Sequence, residues 1–197
     1  MQELAPSAQI ERGASLRNRL RAETLERHRR AEAAMPSLTA LGNREVYTAT
    51  LARLYVFYSR WELAIQRCEM LREVVPDLAE RRRLNLLELD IRALGGSPPP
   101  RPFSASDVLS VPKALGALYV LEGSTLGGQV ISRAVGRGLG AGTKGRAFFT
   151  GHGPRTGALW SSFAAALDRY DGDADTVVAG AAECFADFER TLAPAAT

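Results

Sequence analysis

Apolar positions recur along most of this chain at the three- and four-residue spacing of amphipathic helices, and no stretch alternates with the two-residue period of a strand. Pro36, Pro76 and the pair Gly95-Gly96 are typical stop signals after such helices. The proline-rich residues 97–102 predict a stiff linker, and the glycine-rich residues 136–145 predict a loop. The predicted fold class is all-α. Helices are predicted over residues 16–35, 78–94, 154–170 and 175–192, and over residues 44–75 with a break. A further helix is predicted to begin at the caps Ser106 and Asp107 and to continue through the glycines after residue 121.

The length of 197 residues predicts a single domain. Residues 1–15 carry no periodic apolar pattern and are predicted to be a disordered tail, so the helical domain is expected over residues 16–197. Apolar residues at 46% and charged residues at 24% are ordinary for a globular protein and argue against a fibrous or wholly disordered chain. A net charge of +3 is too small to indicate nucleic-acid binding, and we expect none.

The location expected from the sequence is the cytoplasm. The longest apolar run, residues 114–121, is much shorter than the roughly 20 residues of a membrane-spanning helix, so no membrane association is expected. The N-terminus lacks the basic and then apolar pattern of a signal peptide. Cys68 and Cys184 match no metal-binding spacing, and this cysteine usage suits a reducing compartment.

Three glycines, Gly123, Gly127 and Gly128, interrupt the fourth predicted helix, although apolar periodicity continues on both sides of them. Each glycine inside a helix costs about 1 kcal/mol relative to alanine, so three within six residues require a physical reason. Gly123 and Gly127 share a helix face, which indicates either that something approaches the backbone closely there or that the helix bends. Tight contact with another helix and a flat ligand lying against bare backbone both satisfy this pattern. The missing lysine and preceding strand argue against a phosphate-binding loop.

The chain has two histidines, and they differ in context. His152 lies in a Gly-His-Gly-Pro turn and is expected to be solvated. His28 lies at the edge of the apolar side of the first helix, with Glu32 one turn later and Arg21 two turns earlier. A carboxylate at that spacing can orient one imidazole nitrogen and leave the other free for a metal, although a solvated surface histidine is the ordinary alternative. One histidine is too few for a tetrahedral zinc site but suits heme iron.

These features make the sequence similar to the biliverdin-producing heme oxygenases, especially the bacterial branch associated with phytochromes. The likeness covers nearly everything beyond residue 15. Residues 20–28 (LRAETLERH) with Glu32 resemble the family's proximal-histidine helix, and residues 115–129 (LGALYVLEGSTLGGQ) resemble its glycine-rich distal helix. Residues 147–151 (AFFTG), followed by Gly157, Trp160 and Phe163, form the third matching segment.

The resemblance implies a single-domain helical bundle that holds heme between a proximal helix and a glycine-kinked distal helix. It implies oxidative cleavage of heme to biliverdin, CO and free iron, using O2 and electrons from an external donor. His28 would be the axial iron ligand and Glu32 its partner, while Arg21 would pair with a heme propionate. The remaining expected site residues are Gly123, Ser124, Gly127 and Gly128 for catalysis, and Thr24, Tyr119 and Gln129 for heme binding.

Ser124 departs from the family pattern, because animal-type members carry an aspartate immediately after the first distal glycine. The proton route is therefore expected through backbone groups and water rather than through a side-chain acid. The electron donor implied is a ferredoxin or flavodoxin, and the branch implies a link to phytochrome chromophore supply. A basic rim of Arg133, Arg137, Lys113 and Lys144 could dock an acidic donor, although a solvated charged face is the more ordinary explanation of these residues.

Two other functions fit the same architecture. A heme-binding carrier or sensor without turnover is the main alternative, because Ser124 replaces the usual acid. A thiaminase-like hydrolase shares the helical architecture but needs a nucleophilic cysteine. Cys68 and Cys184 lie in apolar helical segments and are expected to be core thiols, which disfavours that activity.

Overall fold

The computed structural model describes residues 15–101, 108–140, 142 and 144–193, and within these ranges every regular element is helical and there is no strand. This confirms the predicted all-α class. The predicted tail over residues 1–15 and the caps Ser106 and Asp107 lie outside the described residues, except for Ser15, whose hydroxyl caps the first helix. The helices are α1 Leu16–Glu23, α2 Leu25–Ala34, α3 Arg44–Arg67, α4 Leu71–Val74, α5 Leu84–Ala93, α6 Val111–Leu139, α7 Ala147–Thr150, α8 Thr156–Arg169 and α9 Ala174–Leu192, with 3-10 turns at Ala40–Gly42, Leu78–Arg81 and Gly153–Arg155.

The first predicted helix is two helices, because the chain bends at Thr24. The Thr24 hydroxyl donates to the Leu20 carbonyl oxygen at 2.7 Å, and the Thr24 backbone leaves helical geometry at φ −105° and ψ 4°. A threonine hydroxyl that competes for the carbonyl one turn earlier commonly bends a helix. The bend lies between Arg21 and His28, so it sets the direction in which α2 presents its histidine.

Two further predictions can be compared with the structure. The predicted break within residues 44–75 is confirmed, because α3 ends at Arg67 and α4 begins at Leu71. The predicted loop over residues 136–145 is wrong in its first part, since α6 continues through Gly136 and Gly138. These glycines are needed for packing inside the helix rather than for a turn. A side chain at Gly138 would collide with the Gly42 backbone, and one at Gly136 would collide with a guanidinium group.

The long helix α6 is the central element, and it packs most extensively against α9. The two backbones come close because each helix places a glycine at the crossing. A side chain at Gly180 would lie 2.5 Å from the Lys113 carbonyl oxygen, and one at Gly116 would collide with the Val177 carbonyl. Helix α3 packs against α5, α6 and α9, and α2 packs against α9. The hydrophobic core therefore packs against one side of α6, and the other side of this helix is available to form a cavity.

Cys68 and Cys184 are buried free thiols, as predicted, and burial raises the pKa of both. Such thiols are poor nucleophiles. Within the part of the chain that the structure describes, no helix is long and apolar enough to cross a membrane.

Candidate active site

A cavity of about 580 Å³ separates α1 and α2 from the middle of α6. This volume is within the range of about 300–1,000 Å³ that is usual for ligand-binding pockets. Most of its wall is apolar and aromatic, with Leu54, Phe148, Phe149, Trp160, Phe185 and Phe188 among the residues that line it. Nine of the ten residues expected to form the site lie in this wall, and Gln129 does not; the nine are Arg21, Thr24, His28, Glu32, Tyr119, Gly123, Ser124, Gly127 and Gly128.

His28 stands on the α2 wall with its imidazole about half exposed. Its ring packs edge-on against Phe185, with ring centroids 6.0 Å apart. The His28 Nδ1 atom lies 3.7 Å from a carboxylate oxygen of Glu32, which is within ion-pair range but longer than a hydrogen bond. Glu32 thus lies beside Nδ1, so the Nε2 atom of His28 is the nitrogen that can coordinate a metal ion in the cavity.

The opposite wall is the glycine-rich face of α6. An added Cβ at Gly123 or Gly127 would meet nothing within 4 Å, so bare backbone at these two positions borders open space. Gly128 is different, because an added Cβ there would lie 2.6 Å from the Phe149 carbonyl oxygen of α7. Both interpretations of the glycines therefore hold at different positions. Gly128 allows close packing of α6 on α7, whereas Gly123 and Gly127 leave room for a flat ligand.

Arg21, Thr24 and Tyr119 lie together at one edge of the cavity. Burial raises the pKa of the Tyr119 phenol, and the Thr24 hydroxyl and the charge of Arg21 oppose this increase. Arg21 is exposed, so its guanidinium is a cation at the rim rather than in the interior. This edge can hold an acidic substituent of a ligand whose body lies in the apolar part of the cavity.

The structure does not bring Gln129 to the cavity. Its amide is exposed, and its Oε1 accepts a hydrogen bond from Arg133 Nη2 at 3.3 Å. Because successive helical residues are about 100° apart, position 129 points well away from the face that carries Gly127. Membership in a glycine-rich segment therefore did not place this side chain at the site.

Two polar residues that sequence reasoning missed, Arg83 and Tyr58, lie directly behind Ser124. The Arg83 side chain is only 2% exposed, and its Nη2 donates to Tyr58 Oη at 2.7 Å and to Ser124 Oγ at 3.0 Å. The same nitrogen donates to the Leu121 carbonyl oxygen. Tyr58 Oη and Ser124 Oγ are themselves 3.0 Å apart. One available signal was Glu62, one turn after Tyr58 on the apolar face of α3, because a buried acid predicts buried polar partners.

Glu62 fixes the chain segment that carries Arg83. Its carboxylate accepts the backbone N–H of Arg83 at 2.8 Å and the backbone N–H of Leu84 at 3.1 Å. Burial raises the pKa of Glu62, while these two hydrogen bonds and the Arg83 guanidinium oppose the increase. Because Glu62 binds the backbone of Arg83, the guanidinium stays free to reach Ser124.

A buried ion pair fixes α6 next to its open glycine face. Glu122 directly precedes Gly123, and one of its oxygens accepts a hydrogen bond from Arg81 Nη1. Both side chains are almost fully buried, and Arg81 also pairs with Asp77 at 2.8 Å. Arg81 further donates to the Leu159 carbonyl oxygen at 3.1 Å, which links α6 to α8. The cavity side of α6 is therefore bare, while its opposite side is firmly held.

His152 is not the solvated histidine that the sequence predicted. It is partly buried, and its Nε2 atom is buried without a hydrogen-bond partner among the described residues. Burial lowers the pKa of His152, and the nearby cations Arg83, Arg155 and Arg81 lower it further. The turn folds the imidazole inward against this arginine cluster, which local sequence could not indicate.

The basic rim expected around Arg133 and Arg137 does not include Lys113. That ammonium pairs with Glu183 of α9 at 2.7 Å. At 1.5 Å per residue, Lys113 lies about 30 Å along α6 from Arg133. Arg133 and Arg137 are both exposed, one turn apart, on the stretch of α6 just beyond the glycines. Of the four residues predicted for this rim, Arg133, Arg137 and the exposed Lys144 stay candidates for a charged surface beyond the glycines of α6.

Comparison with known proteins gives one consistent result. The model of the family described as "Heme oxygenase" matches residues 14–193, which is most of the chain. A heme oxygenase of Pseudomonas aeruginosa, PigA, is 31% identical over 184 residues, covering 89% of this chain and 92% of the relative.

Two solved structures share the fold. The heme oxygenase of Neisseria meningitidis, whose structures have NO and CO bound, superimposes with a TM-score of 0.78 at 24% identity and covers 94% of this chain and 96% of that protein. The heme oxygenase of Leptospira interrogans superimposes with a TM-score of 0.72 at 20% identity and covers 91% of this chain and 98% of that protein.

Proposed function

This chain belongs to the heme oxygenase family, and on that premise we propose that heme binds in the cavity between α2 and α6, with His28 as the axial ligand of its iron. The function of the chain is the oxidative degradation of heme. One observation supports this assignment of the site. In a single cavity, an imidazole with a free nitrogen faces a helix whose two glycines border open space, as a flat macrocycle with one axial ligand requires.

The residues present fit heme. The apolar and aromatic walls suit the faces of a porphyrin, and Arg21 at the rim suits its anionic carboxylate groups. Heme, when bound, supplies the iron that activates O2 and is also the molecule that is cleaved. The chain contributes an imidazole from His28, a neighbouring carboxylate from Glu32, and a helix face at Gly123 and Gly127 without side chains that obstruct the other side.

Ser124 and Tyr58 provide the proton donors that the missing aspartate would otherwise supply. The Ser124 hydroxyl donates to the Leu121 carbonyl oxygen at 2.7 Å, and this oxygen also accepts a hydrogen bond from Arg83. The carbonyl therefore keeps a donor when the Ser124 hydroxyl rotates towards the cavity. Tyr58 Oη lies within hydrogen-bonding distance behind Ser124, so it can return a proton to Ser124 Oγ. These contacts support a route through neutral hydroxyl groups.

We infer that an external protein supplies the electrons, and that it docks on α6 at Arg133 and Arg137. Both guanidinium groups are exposed and lie about two to three turns beyond Gly127. An acidic ferredoxin or flavodoxin would be attracted to such a pair. The supply of biliverdin to a phytochrome follows from the resemblance to that bacterial branch and stays a prediction, for which the bilin isomer produced is the relevant observation.

The decisive experiment is aerobic turnover of the purified heme complex with ascorbate, followed by chromatography of the product. We expect the Soret band to disappear and a biliverdin isomer to form. In His28→Ala, turnover should be lost even where some heme still binds in the apolar cavity. A persistent Soret band in the unchanged protein would indicate the carrier or sensor alternative, and normal biliverdin formation by His28→Ala would refute the assigned ligand.

A further inference from the structure

The Arg83 guanidinium is a buried cation, and no carboxylate in the described part of the chain pairs with it directly. Its hydrogen bonds go to three neutral oxygens, those of Tyr58, Ser124 and Leu121. Its Nε atom is buried and has no hydrogen-bond partner among the described residues. The same side chain contributes to the cavity wall. A buried charge without a counter-ion is costly, so its retention here requires a compensating interaction.

The nearby groups compensate for this charge only in part. The guanidinium carbon lies 5.2 Å from the ring centroid of Tyr58 and 5.1 Å from that of Phe148, which gives two cation–π contacts. Glu62 and Glu122 are close enough to interact with the Arg83 charge, but neither carboxylate has a described hydrogen bond to its guanidinium. Glu62 accepts backbone N–H groups, and Glu122 pairs with Arg81.

We propose that Arg83, acting through Ser124, makes the glycine-walled side of the heme cavity a receptor for small monovalent anions. The proposal rests on the heme site described above. Ser124 places a neutral hydroxyl directly in front of this cation, with its Oγ atom 3.0 Å from Arg83 Nη2. Because the hydrogen bonds of the Arg83 guanidinium go to neutral oxygens, the local field at this hydroxyl is positive.

The geometry allows an anion to reach this field. Gly123 and Gly127 leave open space on the cavity side of α6, and Ser124 lies between them on the same stretch of helix. The Ser124 hydroxyl is hydrogen-bonded to Arg83, which strengthens it as a donor because the cation polarises the chain of hydrogen bonds. An anion held in this space would accept a hydrogen bond from the Ser124 hydroxyl and would be attracted by the guanidinium.

The test uses the ferric heme complex titrated with azide, an anion, and with imidazole, a neutral ligand, with the Soret band as the readout. Arg83→Met should weaken azide binding about 10- to 100-fold, as expected for loss of a charge-assisted interaction, and should leave imidazole binding within about threefold. Arg92→Met is the matched control, because it removes the same charge from the exposed far end of α5. It should change neither affinity.

A second pair of variants keeps the proposal testable if Arg83→Met does not fold. Ser124→Asp places a counter-ion beside Arg83 and should lower azide affinity at least about 10-fold while leaving thermal stability equal or higher. Ser124→Asn has a similar shape without the charge and should retain azide affinity within about threefold.

Azide affinity that is unchanged in both Arg83→Met and Ser124→Asp would overturn the proposal, as would equal losses for azide and imidazole. A failure of the heme site itself would appear differently. In that case His28→Ala would leave the ferric heme spectrum unchanged, whatever the azide titrations show.

Discussion

The two kinds of glycine on α6 predict opposite effects of the same substitution at neighbouring positions. Gly127→Ala adds a methyl group to open space, so the heme-free protein should gain about 1 kcal/mol of unfolding free energy from helix propensity. For a chain of this size, that gain corresponds to a rise in Tm of about 2–4 °C. Gly128→Ala is the matched control, because its methyl group would lie 2.6 Å from the Phe149 carbonyl oxygen. Overpacking of this kind costs about 1–3 kcal/mol, so its Tm should fall or at best stay level.

Function should not follow stability in this pair. The new methyl group in Gly127→Ala occupies the space between α6 and the heme face that is opposite His28. Biliverdin formation should therefore fall by about tenfold or more, although the protein is more stable. The measurements are thermal denaturation of the heme-free protein, Soret titration with heme, and ascorbate-driven turnover. If Gly127→Ala destabilised the heme-free protein as Gly128→Ala does, the face at Gly127 would be packed rather than open. If turnover were unaffected, this face would not border the reacting side of heme.

Two further predictions concern a wall segment and the electron donor. Asp90 accepts the backbone N–H groups of Ala147 and Phe148, both at 2.8 Å, so Asp90→Asn should lose one of these bonds and about 1–3 kcal/mol of unfolding free energy at neutral pH. Burial raises the pKa of Asp90, so this group stabilises the fold most at low pH and less as the pH rises through the raised pKa. When the unfolding free energy is measured by denaturation between about pH 4 and 7, its decline with rising pH should be smaller for Asp90→Asn than for the unchanged protein. The double variant of Arg133→Glu and Arg137→Glu should slow turnover with an acidic protein donor and reduce its salt dependence, while turnover with ascorbate stays the same. Equal slowing with both reductants would argue against docking at this pair.

The sequence predicted those parts of the site whose causes are local. Apolar periodicity on both sides of the glycines was enough to predict that α6 passes through them, and the structure confirms it. The helical spacing of His28 and Glu32 also placed their side chains near each other. The bend at Thr24 was not predicted. A threonine hydroxyl in a helix can either bond to the carbonyl of the preceding turn, as here, or point to solvent, and the sequence does not distinguish the two.

The arginine run at residues 81–83 shows why the remainder could not be predicted. The three residues are chemically identical in the sequence, yet Arg81 and Arg83 are buried and Arg82 is exposed. Their different environments come from Glu122, 41 residues from Arg81, and from Glu62, 21 residues from Arg83. A charged run of this kind is usually a solvated surface, and only the tertiary contacts make two of its members interior.

The walls of the cavity are held by contacts that do not involve the ligand. Glu62 and Asp90 each bind backbone N–H groups of a distant segment, and the close approach of Gly128 to Phe149 fixes α7 against α6. The conformational entropy of these segments is therefore lost during folding, before any porphyrin enters. A pocket that exists in advance keeps its shape when the macrocycle has been opened and its pieces depart, which leaves the same protein molecule ready for the next round.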